Sequence, residues 1–250
     1  MEMTFAARFR QGMKAAIPIW IAFVPSSIAW GIAAQNHGLS LDEVILMSAW
    51  VYSGPAQFAV LAPLAESKSA LQVLVAGFLM NLRFLPMSTA LAPFFRGVKR
   101  IPLLLSSHVI SASSFIVPYL QFQRERQAAF LRGTDGRTAD GHGNLGFFLG
   151  VGLTSFTVWV VGTGAGFGVA LGFPPGFEEA LKFILPGYFA GLLVIELQGW
   201  VTRLICLGSL AAALAGAWVS PGWGWLATAI VIASLGWGVE EWKSRASKSF

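Results

Sequence analysis

Apolar runs, most of them close to twenty residues long and bounded by charge or turn residues, follow one another along almost the whole 250-residue chain. A bilayer core about 30 Å thick takes about 20 apolar residues of helix, so each run predicts a helix that crosses or enters a membrane. Eight such segments occur, at 16–34, 44–65, 70–94, 102–120, 145–171, 183–198, 204–219 and 222–239. The sixth and seventh are short for full spans, which leaves tilt, bilayer thinning or a re-entrant course open for them. The one long polar stretch, 121–143, mixes Arg124, Arg126, Arg132 and Arg137 with Glu125, Asp135 and Asp140, and reads as a loop. The expected fold is therefore all-α: a polytopic membrane helix bundle of seven to eight hydrophobic segments. It forms a single transmembrane domain over 1–250, with halves of about 1–120 and 144–250 joined by that loop.

Composition agrees with the pattern and narrows it. Hydrophobic residues make up 55% of the chain and charged residues 12%, against about 25% charged in an ordinary soluble domain. The formal charge of +5 and pI near 9.7 do not mark a nucleic-acid binder, because the basic residues sit in short clusters at the edges of apolar segments. Arg8, Arg10 and Lys14 precede the first segment and place the N-terminus in the cytoplasm, and the first external loop then holds His37, Asp42 and Glu43 without Lys or Arg. The N-terminal segment itself reads as an uncleaved span, not a secretory signal, since Pro18 and Pro25 interrupt it and further spans follow. One cluster breaks the positive-inside rule: if all eight segments cross, Arg96, Lys99 and Arg100 fall outside. Either the rule is overridden there, or one segment between 44 and 120 is re-entrant and seven cross. Tryptophans near segment ends, among them Trp20, Trp200, Trp218 and Trp223, read as an interfacial belt.

Interrupted helices are the places to look for chemistry, because non-helical backbone at membrane depth is tolerated only against protein or a cavity. The second segment carries Ser53, Gly54, Pro55 and Gln57 near its middle. Pro55 removes a backbone donor and Gly54 permits a sharp bend, giving either a ligand-facing break or a packed kink satisfied by Ser53. Asn81 and Arg83 lie mid-way along the third segment, where an unpaired charge costs about 2.5–3.5 kcal/mol on insertion scales. Arg83 is thus either a carboxylate-binding fork or a structural ion, with Glu196 as one partner. In the fourth segment Ser107, Ser111 and Ser114 recur on one helical face beside His108, a face that either lines a water path or packs. His108 and Glu196 are the candidates for proton coupling. The glycine run from Gly162 to Gly168 lacks every phosphate-loop feature and reads as close helix contacts, Gly162 with Gly166 and Gly164 with Gly168. Pro186 and Gly187 form a second break in the other half, and paired breaks point to an inverted repeat about a central site. Cys206 is the one cysteine and the three histidines are scattered, so no metal or disulfide framework and no cofactor is expected.

Taken in order, Gly38-Leu39-Ser40, Ser53-Gly54-Pro55-Ala56-Gln57-Phe58, Asn81-Leu82-Arg83 and Leu91-Ala92-Pro93 resemble the AzlC family of branched-chain amino acid exporter subunits. Trp159, Gly162, Gly166 and Phe183-Ile184-Leu185-Pro186 resemble its later half more loosely. The resemblance implies a transporter in the bacterial cytoplasmic (inner) membrane that exports hydrophobic amino acids together with a small AzlD-like membrane subunit. Ser106, Ser107 and His108 depart from the Thr-Asp-Glu of many members, which puts any role of those acids in doubt here.

The expectation is a secondary transporter, not an enzyme. Its substrate-binding residues would be Ser53, Gly54, Pro55, Gln57, Asn81, Arg83, Pro186 and Gly187, and its contacts otherwise membrane lipid and no nucleic acid. An intramembrane enzyme would need His108 with Ser107 or Ser111 and lacks an acid to orient them. A passive channel, or a transporter subunit for another small solute, is the alternative; rings of like charge, the mark of a channel, are not seen.

Overall fold

A computed structural model describes residues 4–65, 69–133, 141–172 and 200–219. Among them the chain is helical, without strands: α1 Phe5–Asn36, α2 Leu41–Trp50, α3 Gly54–Ala65, α4 Ala70–Asn81, α5 Phe84–Leu91, α6 Arg100–Ser106, α7 Ala112–Leu131, α8 Gly141–Val169 and α9 Trp200–Val219. Short 3₁₀ turns follow α5 at Ala92–Phe95 and α6 at Ser107–Val109. Among the described residues three stretches are long and apolar enough to cross a membrane: Phe5–Asn36, Ala70–Phe95 (α4 and α5 end to end) and Gly141–Val169. The chain divides into two compact units, Met1–Gly187 and Tyr188–Phe250; helices α1 to α8 belong to the first and α9 to the second.

Helix starts are written locally. Thr4 caps α1, while Ser40 with Glu43, Ser69 with Gln72, and Ser111 with Ser114 form reciprocal capping boxes at α2, α4 and α7. Each satisfies two amides that a helix leaves unpaired at its start. Pro55 lies in the first turn of α3, where no amide donor is missed.

The centre of the first unit is the pairing of α1 with α8, which run parallel and touch backbone to backbone. A Cβ on Gly12 would collide with the carbonyl of Phe147, and one on Gly150 with the carbonyl of Phe9. The same reciprocity returns further along, where Gly31 sits on the carbonyl of Thr163 and Gly166 on that of Ile28. In lipid, where helices gain no hydrophobic energy by meeting, such close approach is how dispersion holds them. Gly162 also sits tightly, against Ser27, but Gly164 makes only ordinary contact and Gly168 has open space, so the expected contact holds for one glycine pair and not the other. These two helices lead the two halves of the chain. Their parallel course is opposite to what an inverted repeat would give this pair.

With α8 as a ruler at about 1.5 Å per residue, the other elements of this unit can be placed by depth. At its start, Gly141 meets the backbone of Phe95 and Arg96, Asn144 bonds Arg8 and Phe94, and Phe147 meets the Phe122 ring edge-on. About halfway along, Gly152 meets Val109, and Phe156 touches both Tyr52 and His108. Further on, Trp159 meets Gly54 and Gln57, Thr163 meets Ser48, and Gly164 faces Ile45.

That ordering shows two hairpins that turn back inside. Helix α2 starts at the His37 end, descends past Ser48 to a tip at 51–53, and α3 climbs back until Leu64 shares a surface hollow with His37 and Glu43. Helix α6 starts at the Arg8 end, rises to a tip at 107–111, and α7 returns to place Glu125 on Arg8. Ten- and twelve-residue helices are about 15–18 Å long, half a bilayer, which is what a re-entrant element needs.

This corrects the expectation that segments 44–65 and 102–120 cross. Arg96, Lys99 and Arg100 then lie at the N-terminal end of the molecule with the other basic residues, and the exception to the charge rule disappears. One further expectation changes: residues 121–131 of the predicted loop continue α7 as helix. Arg8, one of the basic residues that precede the first segment, is 2% exposed. Its guanidinium makes a bidentate pair with Glu125, Nη1 to Oε1 at 2.7 Å and Nη2 to Oε2 at 3.0 Å, and further bonds to Gln11 and Asn144.

Candidate functional site

Three interruptions converge at one depth: the α2–α3 and α6–α7 tips meet at Phe156, and the elbow between α4 and α5 joins them through Arg83 and Ser53. Each leaves backbone groups that lipid cannot satisfy, and the structure accounts for them. Where α2 stops, the carbonyl of Ala49 loses the amide one turn on, and His108 Nε2–H donates to it at 2.8 Å. His108 also meets the rings of Trp50 and Phe156, so one histidine joins the two tips. At the second tip Ser114 Oγ donates to the carbonyl of Val109 at 2.6 Å and accepts from Ser111 N at 2.7 Å.

Tyr52, at the first tip, has φ +41, a left-handed conformation that costs a bulky residue of order 1–3 kcal/mol. It is held there with its ring edge-on to Phe156, 5.1 Å between centroids. Sequence reasoning passed over this residue; an aromatic just before Ser-Gly-Pro carries no signal of its own.

Behind the first tip lies a closed chain of hydrogen bonds. Trp30 Nε1 and Gln57 Nε2 donate to Ser48 Oγ at 3.0 and 2.9 Å, Ser48 bonds Thr163 Oγ1 at 3.1 Å, Thr163 donates to the carbonyl of Trp159, and Trp159 Nε1 donates to Gln57 Oε1 at 3.0 Å. These five side chains are buried and tie α1, α2, α3 and α8 together. Gln57 has both ends of its amide engaged, and Gly54 is pressed against the Trp159 indole. Both residues therefore brace the break. Trp30 and Trp159 are internal donors, outside the interfacial belt that other tryptophans suggested.

Arg83 begins α5 at the elbow, with Nη2 donating to Ser53 Oγ at 3.3 Å and the guanidinium 5.2 Å from the centre of the Phe84 ring. Its Nε and the Oδ1 of Asn81 are buried without hydrogen-bond partners. Next to them is a cavity of about 320 Å³, walled by Phe78, Leu82, Phe84, Leu85 and Ile110 and carrying the polar side chains of Asn81, Ser88 and Ser107. Ser53, Asn81 and Arg83 are thus brought together from two segments of the sequence. Pro55 lies next to Gly54 in the first turn of α3, while Pro186, Gly187 and Glu196 lie outside the described residues. The serine face expected of the fourth segment does not form, because the helix ends at Ser106; Ser107 bonds its own turn, and Ser111 and Ser114 cap α7. Among the described residues no group of His, Cys, Asp and Glu is placed to hold a metal.

A helical membrane protein with half-length hairpins and a cavity where their tips meet a broken crossing helix has the build of a solute-handling membrane protein. The AzlC protein family model matches residues 18–171, more than half of the chain and all of these elements' tips, and the chain belongs to that family. It is 28% identical over 240 residues to an uncharacterized membrane protein of Archaeoglobus fulgidus, covering 89% of this chain and 98% of that one. It is 26% identical over 217 residues to the inner membrane protein YgaZ of Escherichia coli, covering 84% and 82%. No solved structure matches the chain.

Proposed function

We propose that this chain is the transporting subunit of a secondary exporter of branched-chain and related hydrophobic amino acids, working with a small AzlD-like membrane partner. The observation that carries the reading is the convergence of three helix interruptions on a small apolar cavity beside an arginine whose Nε has no partner. A cation kept at membrane depth at a cost of kilocalories is best explained by a ligand that needs it. The carboxylate of an amino acid meets Arg83 and the first amides of α3 near Ser53, where the helix end favours negative charge. The aliphatic side chain lies against the apolar wall.

The basic residues at the Arg8 end, with the acidic His37 end opposite, favour an N-terminus in the cytoplasm of the inner membrane. The similarity to an inner membrane protein of Escherichia coli supports the same membrane.

The test is efflux of preloaded labelled valine, leucine, isoleucine and methionine from cells expressing the chain with an AzlD-like partner. Export above the empty-vector level is expected, and Arg83→Lys, which keeps the charge but loses the fork, is expected to cut it at least about tenfold at equal membrane abundance. No export of any of the four, with both chains in the membrane, overturns the reading; full export by Arg83→Lys removes Arg83 from it.

A further inference from the structure

Helix α6 has two unlike faces. Leu103 packs on the hydrophobic core and Ser106 is buried, whereas Ile101, Leu104 and Leu105, at i, i+3 and i+4, are 71%, 73% and 72% exposed. With its 3₁₀ turn α6 is about 16 Å long, close to one leaflet of a hydrocarbon core about 30 Å thick. It starts at the Arg8 end and stops at mid-depth, so its outer stripe lies against acyl chains over its whole length.

The head of that stripe carries charge of one sign. A tight turn, closed by Val98 N–H on the carbonyl of Phe95 at 3.2 Å with Gly97 at φ +86, sets Arg96, Lys99 and Arg100 on one bend, all three exposed. The described residues hold three carboxylates: Asp42 and Glu43 at the opposite end, and Glu125, which is taken up by Arg8. None of these pairs with the three cations. The charge rule accounts for the side on which the cations lie, but does not set them at the head of an apolar stripe one leaflet deep. Helix α2 has the same build from the other side with the sign reversed: Leu46 and Trp50 are exposed, and Asp42 and Glu43 stand at its head.

We propose that the outer face of α6 is a binding site for a phospholipid with an anionic headgroup, its phosphate on Arg96, Lys99 and Arg100 and an acyl chain along Ile101, Leu104 and Leu105. The guanidinium forks suit paired phosphate oxygens and the lysine adds a point charge. Each cation near the membrane surface adds to the attraction for an anionic headgroup, whereas a zwitterionic headgroup brings a cation of its own and gains less. Helix α2, with acids at its head, offers such a lipid nothing. The inference uses the fold alone and stands apart from the transport reading.

The test is thermal stabilisation of the purified full chain in neutral detergent by added lipid, which needs no partner and no transport. The probes are dioleoyl phosphatidylglycerol, dioleoyl phosphatidylcholine, and glycerol 3-phosphate, which has a phosphate and no chains. Phosphatidylglycerol is expected to bind at least about tenfold more tightly than phosphatidylcholine, and glycerol 3-phosphate not to stabilise at the same concentrations. The triple variant Arg96→Gln, Lys99→Gln, Arg100→Gln is expected to melt like the parent without lipid, since all three side chains are exposed, and to lose the preference for phosphatidylglycerol. Leu104→Ser with Leu105→Ser is expected to weaken both lipids and keep the preference. Arg10→Gln with Lys14→Gln, which removes two exposed cations of α1 near the same end, is expected to leave the preference in place. Equal binding of the two lipids, or an unchanged preference in the triple variant, overturns the proposal. So does an equal loss in the α1 variant, which would mean diffuse attraction without a site, and so does stabilisation by glycerol 3-phosphate that matches the lipid, which would mean a site for free phosphate.

Discussion

Neutralising Glu125 is the sharpest test of how the Arg8 end is held. Arg8 is 2% exposed, and two of the four hydrogen bonds on its terminal nitrogens run to the Glu125 carboxylate, the shorter at 2.7 Å. At that distance and an effective dielectric constant of about 20, the attraction is about 6 kcal/mol. Glu125 is about a quarter exposed, so part of that attraction is screened. Unpairing a buried charge costs about 3–5 kcal/mol, and Glu125→Gln, which keeps one acceptor, belongs at the lower end, about 3 kcal/mol. For a chain of this size that lowers the melting temperature by about 6–12 °C. Thermal unfolding of the detergent-solubilised protein, followed by helical circular dichroism, reads the shift. The double variant Arg8→Met with Glu125→Leu is expected to recover most of it, because apolar replacement of a buried pair is often nearly neutral. Melting of Glu125→Gln within 2 °C of the parent (about 1 kcal/mol or less) refutes the reasoning, as does a double variant less stable than the worse single.

The fold makes two further outcomes testable. Gly150→Leu forces a side chain into the backbone of Phe9 and is expected to cost about 1–3 kcal/mol in the same melting assay, whereas Gly168→Leu, with open space around it, is expected to be nearly silent. The hairpins fix sidedness: in a Cys206→Ser background, a membrane-impermeant maleimide is expected to label Val98→Cys and Arg132→Cys from the same side and His37→Cys from the other. Labelling of Val98→Cys together with His37→Cys would mean that α2–α3 does cross, and labelling of Arg132→Cys from the side opposite to Val98→Cys that α6–α7 does.

Helix content was legible because apolar runs of about twenty residues admit few other structures in lipid. Whether a run goes through or turns back was not, since a hairpin of two half-length helices has the same composition as one full helix. The clue lay outside the runs, in Arg96, Lys99 and Arg100, which fit the charge rule if one segment between them and the N-terminus fails to cross. The break at Ser53 and Gly54 was readable from Pro55, and the elbow from Arg83, because both offend a rule of helices in membranes. The cavity wall was not readable, because Phe78, Leu82 and Ile110 look like any lipid-facing residue until the chain folds. The burial of Arg8 was not readable for a related reason: its partner Glu125 lies 117 positions away, and nothing nearby in the sequence distinguishes a buried guanidinium from an exposed one.

The hairpins also bear on how such a protein could move. Both connections of α2–α3 leave at the His37 end, and both connections of α6–α7 leave at the Arg8 end, so each hairpin hangs from one membrane face only. A hairpin so tethered can draw back towards its own face without pulling any connecting segment through the bilayer. Between the tips His108 bonds to the carbonyl of Ala49, while the α1–α8 glycine seam leaves no room for sliding. The two faces can then be opened one at a time against a fixed spine, like two doors that share a latch but hang on opposite frames.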